Sequence, residues 1–248
     1  MDLPPVEAAQ TATDWSMVMQ AAGDDDGPAA TALETLMRRY WPAVYAFLRS
    51  GGCDVHQASD LTQGFLCDVV IRRGLLRTAD PGRGRFRTLL LSAVRNYVRD
   101  RHRHETAKRR APDGAATVPL DPTSLESVGD PHLRSPDAAF AAAWSVTIVR
   151  QVLAQVCEAC RADGLEAHWT VFESRVVRPM LLGEPAASYA RLVERLDLSD
   201  ASQAANMMVT VKRRFAKQLY EEVGRTVDDP MQIEAELLAL LRSLEGSR

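Results

Sequence analysis

The side chains with the clearest chemical purpose are the cations between residues 83 and 110. This segment carries ten Lys or Arg and two acids, Asp100 and Glu105, for a net charge of +8, whereas the whole chain carries −3. Guanidinium and ammonium groups at this density displace the condensed counterions of a phosphate polymer. The imbalance therefore predicts a binding surface for a polyanion, with nucleic acid as the leading class.

Two aromatic residues, Phe86 and Tyr97, lie among these cations. An aromatic ring beside a basic surface is suited to stack on an unpaired base. The same two positions also fit the buried stripe of a helix whose other face is charged and solvated. The spacing leaves both interpretations open.

Helical spacing predicts two helices and a turn as the elements that position these residues. The helix within residues 55–73 buries a stripe of Leu61, Phe65, Leu66, Val69 and Val70. It turns Asp60, Gln63 and Asp68 outward. After a Gly/Pro turn at residues 79–85, which neither helix can continue through, a second helix starts at Phe86. Its polar face carries Arg87, Arg95, Asn96, Arg99 and Arg103.

Three consecutive motifs in this stretch resemble one protein family. They are Asp60-Leu-Thr-Gln-Gly-Phe, the turn at residues 79–85, and Phe86-Arg-Thr-Leu-Leu-Leu-Ser-Ala-Val-Arg-Asn. Together they resemble regions 2.2 to 2.4 of bacterial RNA polymerase sigma factors of the sigma-70 family. The most similar group is the extracytoplasmic-function (ECF) class, and within it the long-tailed ECF-like proteins. The resemblance covers roughly residues 13–244.

The resemblance implies a promoter-binding role for the basic segment. In the family, the loop captures a flipped base of the minus-ten element, and the following helix lies along the promoter. The residues implied near the base pocket are Arg83, Arg85 and Arg87. Those implied on the DNA face are Arg95, Asn96, Arg99 and Arg103.

The resemblance also implies a docking face for core RNA polymerase on the preceding helix. Asp60 and Gln63 match the acid and glutamine that contact the polymerase clamp helices. Many members carry a second acid where Ser59 stands here. Thr62 is predicted on the same exposed face, where phosphorylation by a Ser/Thr kinase would restore negative charge. The alternative for Thr62 is an ordinary surface threonine.

The apolar spacing of residues 139–224 predicts a second helical domain. Its last three elements are a short helix, a turn at residues 197–200 and a longer helix. This is the arrangement of a helix-turn-helix, and it resembles sigma region 4, which reads the minus-thirty-five element. Base contacts are predicted for Ser202, Gln203 and Asn206, and phosphate contacts for Lys212 and Arg213. Residues 202–211 lack the basic residues that most ECF factors carry here, so a helical bundle that touches no DNA stays an alternative.

The remaining segments complete an all-α fold prediction with two helical domains. Residues 1–28 form an acidic segment with a short helix, residues 29–106 the first domain, and residues 107–138 a Pro/Gly-rich linker. Residues 225–248 form an amphipathic tail helix that opens on Asp229-Pro230. Its leucines are predicted to pack on its own domain or, alternatively, to make a regulatory contact.

Composition favours a cytoplasmic, non-enzymatic protein without cofactors. The five histidines form no metal-ligand or catalytic motif. Cys157 and Cys160 have metal-like spacing without a second pair, so they are predicted to be buried or neutral thiols. No signal peptide and no membrane span are expected.

These patterns lead to one functional expectation and two alternatives. The expectation is a sigma factor that binds core RNA polymerase and promoter DNA. The first alternative is a sigma-like DNA-binding regulator that does not open promoters. The second is an interaction module held by an anti-sigma factor or a kinase.

Overall fold

The computed structural model describes residues 14–23, 26–72, 74–80, 82, 84–110, 135–227 and 229–245. Every regular element within these ranges is helical, which confirms the all-α prediction. The α-helices are α1 (Asp14–Ala21), α2 (Asp26–Ser50), α3 (Val55–Phe65), α4 (Phe86–Arg110), α5 (Pro136–Ala162), α6 (Glu166–Phe172), α7 (Arg178–Leu182), α8 (Tyr189–Leu196), α9 (Ala201–Gly224) and α10 (Ile233–Glu245). A π-helical turn extends α3 through Leu66–Arg72, and another extends α6 through Glu173–Val177.

The chain divides into two compact units. The described residues of the first unit lie within residues 10–147 and 223–248, and those of the second within residues 148–222. The boundary between Thr147 and Ile148 falls inside α5. The tail helix α10 therefore belongs to the same unit as α2, α3 and α4, although the sequence separates them by more than a hundred residues. The prediction that its leucines pack on the second helical domain, which precedes it in the sequence, is wrong.

Local sequence signals account for the helix ends in the first unit. Asp54 caps α3 by accepting a hydrogen bond from the Gln57 amide at 2.8 Å, and the Gln57 side chain returns one to the Asp54 amide. Asp229 caps the 3₁₀ turn Pro230–Gln232 that leads into α10. This confirms the predicted start of the tail.

The core of the first unit is built around aromatic side chains at the crossing of α1, α2, α3 and α4. Phe86 packs edge-on against Trp15 and Tyr40, with ring centroids 5.9 and 5.3 Å away, and Tyr97 packs edge-on against Phe65 at 5.6 Å. Both Phe86 and Tyr97 are buried. The interpretation of these two rings as core residues is thus confirmed, and they are not available to stack on a base in this structure.

Gly64 lets α3 approach α4 closely. A Cβ atom at position 64 would lie 2.6 Å from the hydroxyl oxygen of Tyr97, which is closer than van der Waals contact. Since the Tyr97 ring is held in the core, it cannot easily move aside. The glycine of the Asp60–Phe65 motif is therefore required by packing.

We expect Gly64→Ala to lower the free energy of unfolding by up to about 2 kcal/mol. Overpacking a core costs about 1–3 kcal/mol, which exceeds the roughly 1 kcal/mol that alanine gains over glycine inside a helix. Urea denaturation measures the difference. The same substitution in a Tyr97→Phe background has no hydroxyl to meet, so it should be neutral or stabilising there; an equal loss in both backgrounds would contradict this packing explanation.

The second unit packs α6 and α9 against the carboxy-terminal half of α5. Phe172 lies at its centre, with ring centroids 5.8 Å from Trp169 and 6.0 Å from Phe215. Cys160 is buried and Cys157 is half-buried, and burial raises the pKa of both thiols. Both are therefore protonated at neutral pH, as predicted.

Among the described helices, α5 alone has the length and apolar composition of a membrane span. Half of the qualifying window is buried inside the protein. The core helices of soluble proteins share this composition.

Candidate nucleic-acid interface

Helix α4 exposes part of the predicted DNA face. Asn96, Arg99 and Arg103 are exposed, whereas Leu90 and Val94 lie buried on the opposite side. Helical periodicity thus separates a packed stripe from a polar one, as the sequence predicts. The exposed stripe offers one amide and two guanidinium groups, which suits contacts to the backbone and bases of DNA.

The two arginines at the start of α4 are already paired. Arg87 forms an ion pair with Glu236 of α10: its Nη2 donates a hydrogen bond to Oε2 at 2.7 Å, whereas its Nε lies 2.7 Å from Oε1 without forming a hydrogen bond. Arg85 forms an ion pair with the same Oε2. Arg83, the third arginine predicted at this site, lies outside the described residues.

This cluster is largely shielded from solvent. The side chain of Glu236 is 0% exposed, and those of Arg87 and Arg85 are 18% and 27% exposed. Arg87 is therefore not the outward-facing residue that its place on the polar stripe of α4 predicts. The reason is tertiary: the carboxylate of a distant helix covers the guanidinium group.

Aromatic side chains complete the surroundings of Arg87. Its guanidinium carbon lies 4.8 Å from the ring centroid of Trp144, within the range of a cation–π contact. Burial raises the pKa of the neighbouring Tyr40 to about 12. Arg39, Trp144 and Arg87 lower this pKa, but by less than burial raises it. Tyr40 is therefore neutral at physiological pH.

Arg95 is also engaged by an acid. Its Nε donates to Oδ1 of Asp137 at 3.1 Å, and its Nη2 pairs with Oδ2. The two side chains are 39% and 48% exposed, so this pair contributes little to stability. Asp137 lies in the first turn of α5, inside the same unit.

Sequence reasoning missed Glu236 and Asp137. Glu236 lies three residues after Ile233 and four before Leu240, which places it on the buried stripe of α10. An acid at such a position requires a cation for compensation. That signal was present in the sequence, although it could not say which of the 30 Lys and Arg residues would be the partner.

The predicted polymerase-docking face of α3 is in part as expected. Asp60 and Gln63 are exposed. The prediction that Thr62 lies on the same exposed face is wrong, because Thr62 is fully buried and its hydroxyl donates to the Ala58 carbonyl at 2.7 Å. Position 62 lies four residues after the buried Ala58 and three before Phe65, which turns it toward the core. A kinase cannot reach this hydroxyl in the folded chain.

In the second unit, α8 and α9 are joined by a tight turn. Asp197 has a left-handed backbone conformation (φ 51°), which aspartate tolerates better than most residues and which ends α8. Asp200 then caps α9, because its Oδ1 accepts a hydrogen bond from the Gln203 amide at 2.8 Å. Both features fit the predicted helix-turn-helix.

The exposed start of α9 lines a shallow, open groove of about 480 Å³. Ser202, Gln203 and Asn206 lie along this groove, and His168 of α6 contributes to its wall. Lys212 and Arg213 are exposed further along α9. The five residues predicted to contact DNA from this unit are thus solvent-accessible.

Gln203 is not free to read an adenine as predicted. Its Oε1 accepts hydrogen bonds from the backbone amide and the hydroxyl of Ser199, at 2.8 and 2.9 Å. A two-pronged contact to adenine needs that oxygen as the acceptor of the base amino group. The side chain holds the turn before α9 in this structure, so Ser202 and Asn206 are the better candidates for base contacts.

Comparison of the chain with protein-family models, curated proteins and solved structures found no match. The functional interpretation therefore rests on the residues and their geometry.

Proposed function

We propose that this chain is a sigma factor of the extracytoplasmic-function class, which binds core RNA polymerase and directs it to promoters. The observation that carries the proposal is the pairing of two exposed surfaces in one helical unit. Helix α3 presents Asp60 and Gln63, and helix α4 presents Asn96, Arg99 and Arg103. Promoter recognition by a sigma factor requires one surface that binds the polymerase and another that binds DNA. The acidic-polar face of α3 is suited to the first, and the basic face of α4 is suited to the second.

The second unit supports the proposal through α8 and α9. The capped turn and the exposed side chains at the start of α9 have the form of a helix-turn-helix whose second helix enters a major groove. Lys212 and Arg213 are then suited to flanking phosphates. Two separate DNA-binding surfaces on one chain fit a promoter with two recognition elements.

The test is co-elution of the purified protein with core RNA polymerase, followed by run-off transcription from a matched promoter. We expect Asp60→Arg to weaken polymerase binding about 30-fold, because a like-charge contact at an interface costs several kcal/mol. Glu34→Arg makes the same change of charge on the exposed face of α2 and should bind like the parent protein. Equal binding by parent, Asp60→Arg and Glu34→Arg would place the polymerase contact elsewhere.

A second candidate is a DNA-binding regulator that does not open promoters. One observation favours it: Arg85, Arg87 and Arg95, which the sigma function needs for the minus-ten element, are all paired with acids, whereas the start of α9 is exposed. The regulator would bind duplex DNA through α9 and yield no run-off transcript with core polymerase. The same transcription assay separates the two functions.

A further inference from the structure

Helix α10 places a carboxylate on the arginines that the proposed function assigns to promoter contact. Glu236 is the shared partner of Arg85 and Arg87, and it is fully buried. We infer that α10 is a displaceable cover on this anion-binding pair, and that Glu236 occupies the place that a promoter phosphate takes when DNA binds. This inference rests on the proposed function and assigns a regulatory contact to the same site.

The chemistry of the contact supports substitution by phosphate. A guanidinium group donates two parallel hydrogen bonds, and carboxylates and phosphates accept them in the same geometry. Oε2 of Glu236 accepts a hydrogen bond from Arg87 and forms an ion pair with Arg85. Oε1 lies 2.7 Å from the Nε of Arg87, but these two atoms do not form a hydrogen bond. Glu236 and a DNA phosphate therefore cannot occupy the pair together, so tail docking and strand binding compete.

The attachment of α10 is modest enough for displacement. Of its apolar side chains, Ile233 and Leu240 are buried, whereas Leu238 and Leu241 are 52% and 48% exposed. A hydrogen bond of 2.7 Å between the Ser243 and Ser145 hydroxyls adds one polar contact near its end. A helix of 13 residues has little stability of its own, so losing the Glu236 contact would favour its release.

Asp137 of α5 is a second acid that pairs with an arginine of α4. It pairs with Arg95, two turns after Arg87 along α4. Two acids from outside α4 thus neutralise cations on one continuous surface. These acids come from two different helices, α10 and α5, and the cover proposed here concerns only Glu236 of α10.

The test compares Glu236→Gln with Glu234→Gln in binding a labelled single-stranded oligonucleotide at low salt. Glu234 lies on the exposed face of α10, so its replacement changes the net charge equally without touching the arginines. We expect Glu236→Gln to bind about tenfold more tightly than the parent, since it removes the competing anion, and Glu234→Gln to bind like the parent. Equal affinities for the two variants would overturn the inference.

Amide hydrogen exchange in the unmodified protein tests the same point if Glu236→Gln folds poorly. Saturation with the oligonucleotide should speed exchange at residues 233–245, because the helix is released. Unchanged or slower exchange there would overturn the inference.

The inference and the proposed function fail in different ways. Tighter oligonucleotide binding by Glu236→Gln, without polymerase binding by any variant, would support the cover and reject the sigma function. If the protein binds polymerase and gives a run-off transcript, but Glu236→Gln and Glu234→Gln bind the oligonucleotide equally well, the sigma function is supported and the cover is rejected.

Discussion

Replacement of Arg87 with alanine is expected to lower the free energy of unfolding by about 3 kcal/mol. The substitution removes an ion-pair partner of Glu236, a carboxylate with no exposed surface, and breaking a buried ion pair from one side costs about 3–5 kcal/mol. Arg85 stays as a second partner, which keeps the loss near the lower limit. The lost stacking on Trp144 adds to it. Urea denaturation followed by circular dichroism measures this difference.

A double-mutant cycle isolates the ion pair from the stacking. Arg87→Ala with Glu236→Ala should be more stable than the sum of the single losses by about 1–3 kcal/mol. Arg72 and Asp68 provide the control, because they form an ion pair at 3.0 Å whose side chains are 78% and 40% exposed. Their coupling energy should stay below about 0.5 kcal/mol. A coupling between Arg87 and Glu236 as small as that of the control would mean that the buried pair is not structurally important.

Reversal of two charges on the exposed stripe of α4 is expected to have the largest effect on DNA binding. Arg99→Glu with Arg103→Glu should weaken binding to a promoter oligonucleotide about 100-fold at low salt. Each lost phosphate contact removes about one released counterion, so the slope of log affinity against log salt should become shallower by about 2. Fluorescence anisotropy across a salt series gives both quantities.

Because Arg99 and Arg103 are exposed, the double variant should keep the stability of the parent within about 0.5 kcal/mol. Arg150→Glu with Arg161→Glu is the matched control, since these exposed arginines of α5 carry the same charge but lie outside the predicted site. A similar loss of affinity in both double variants would indicate attraction by net charge rather than a surface on α4.

Periodicity predicted the elements of this fold but not their long-range pairing. Most of the predicted apolar positions, such as Phe65, Val70 and Val94, are buried, because burial on a helix follows a repeat of 3.6 residues. Leu61 and Val69 are only half-buried. The caps at Asp54, Asp200 and Asp229 follow equally local rules. The contact between Arg87 and Glu236 spans 149 residues, and no local pattern specifies which buried acid meets which arginine.

Thr62 and Gln203 illustrate the limits of residue type as a guide to function. Threonine on an amphipathic helix is expected to expose its hydroxyl. The hydroxyl of Thr62 instead donates a hydrogen bond to the Ala58 carbonyl, and the side chain packs in the core. Glutamine at the start of a recognition helix is expected to contact a base. The side chain of Gln203 instead accepts a hydrogen bond from the Ser199 amide. In both cases a short-range hydrogen bond to the backbone competes with the predicted role.

The position of Trp144 under the Arg87 guanidinium has a practical consequence. An indole ring 4.8 Å from a fixed cation experiences a strong local field, and the emission of tryptophan responds to such fields. If the carboxylate opposite Arg87 leaves, the cation shifts and the colour and intensity of that emission change with it. Since the chain has four tryptophans, a variant that keeps only Trp144 would report the opening of the contact between Arg87 and Glu236 in solution without an attached dye.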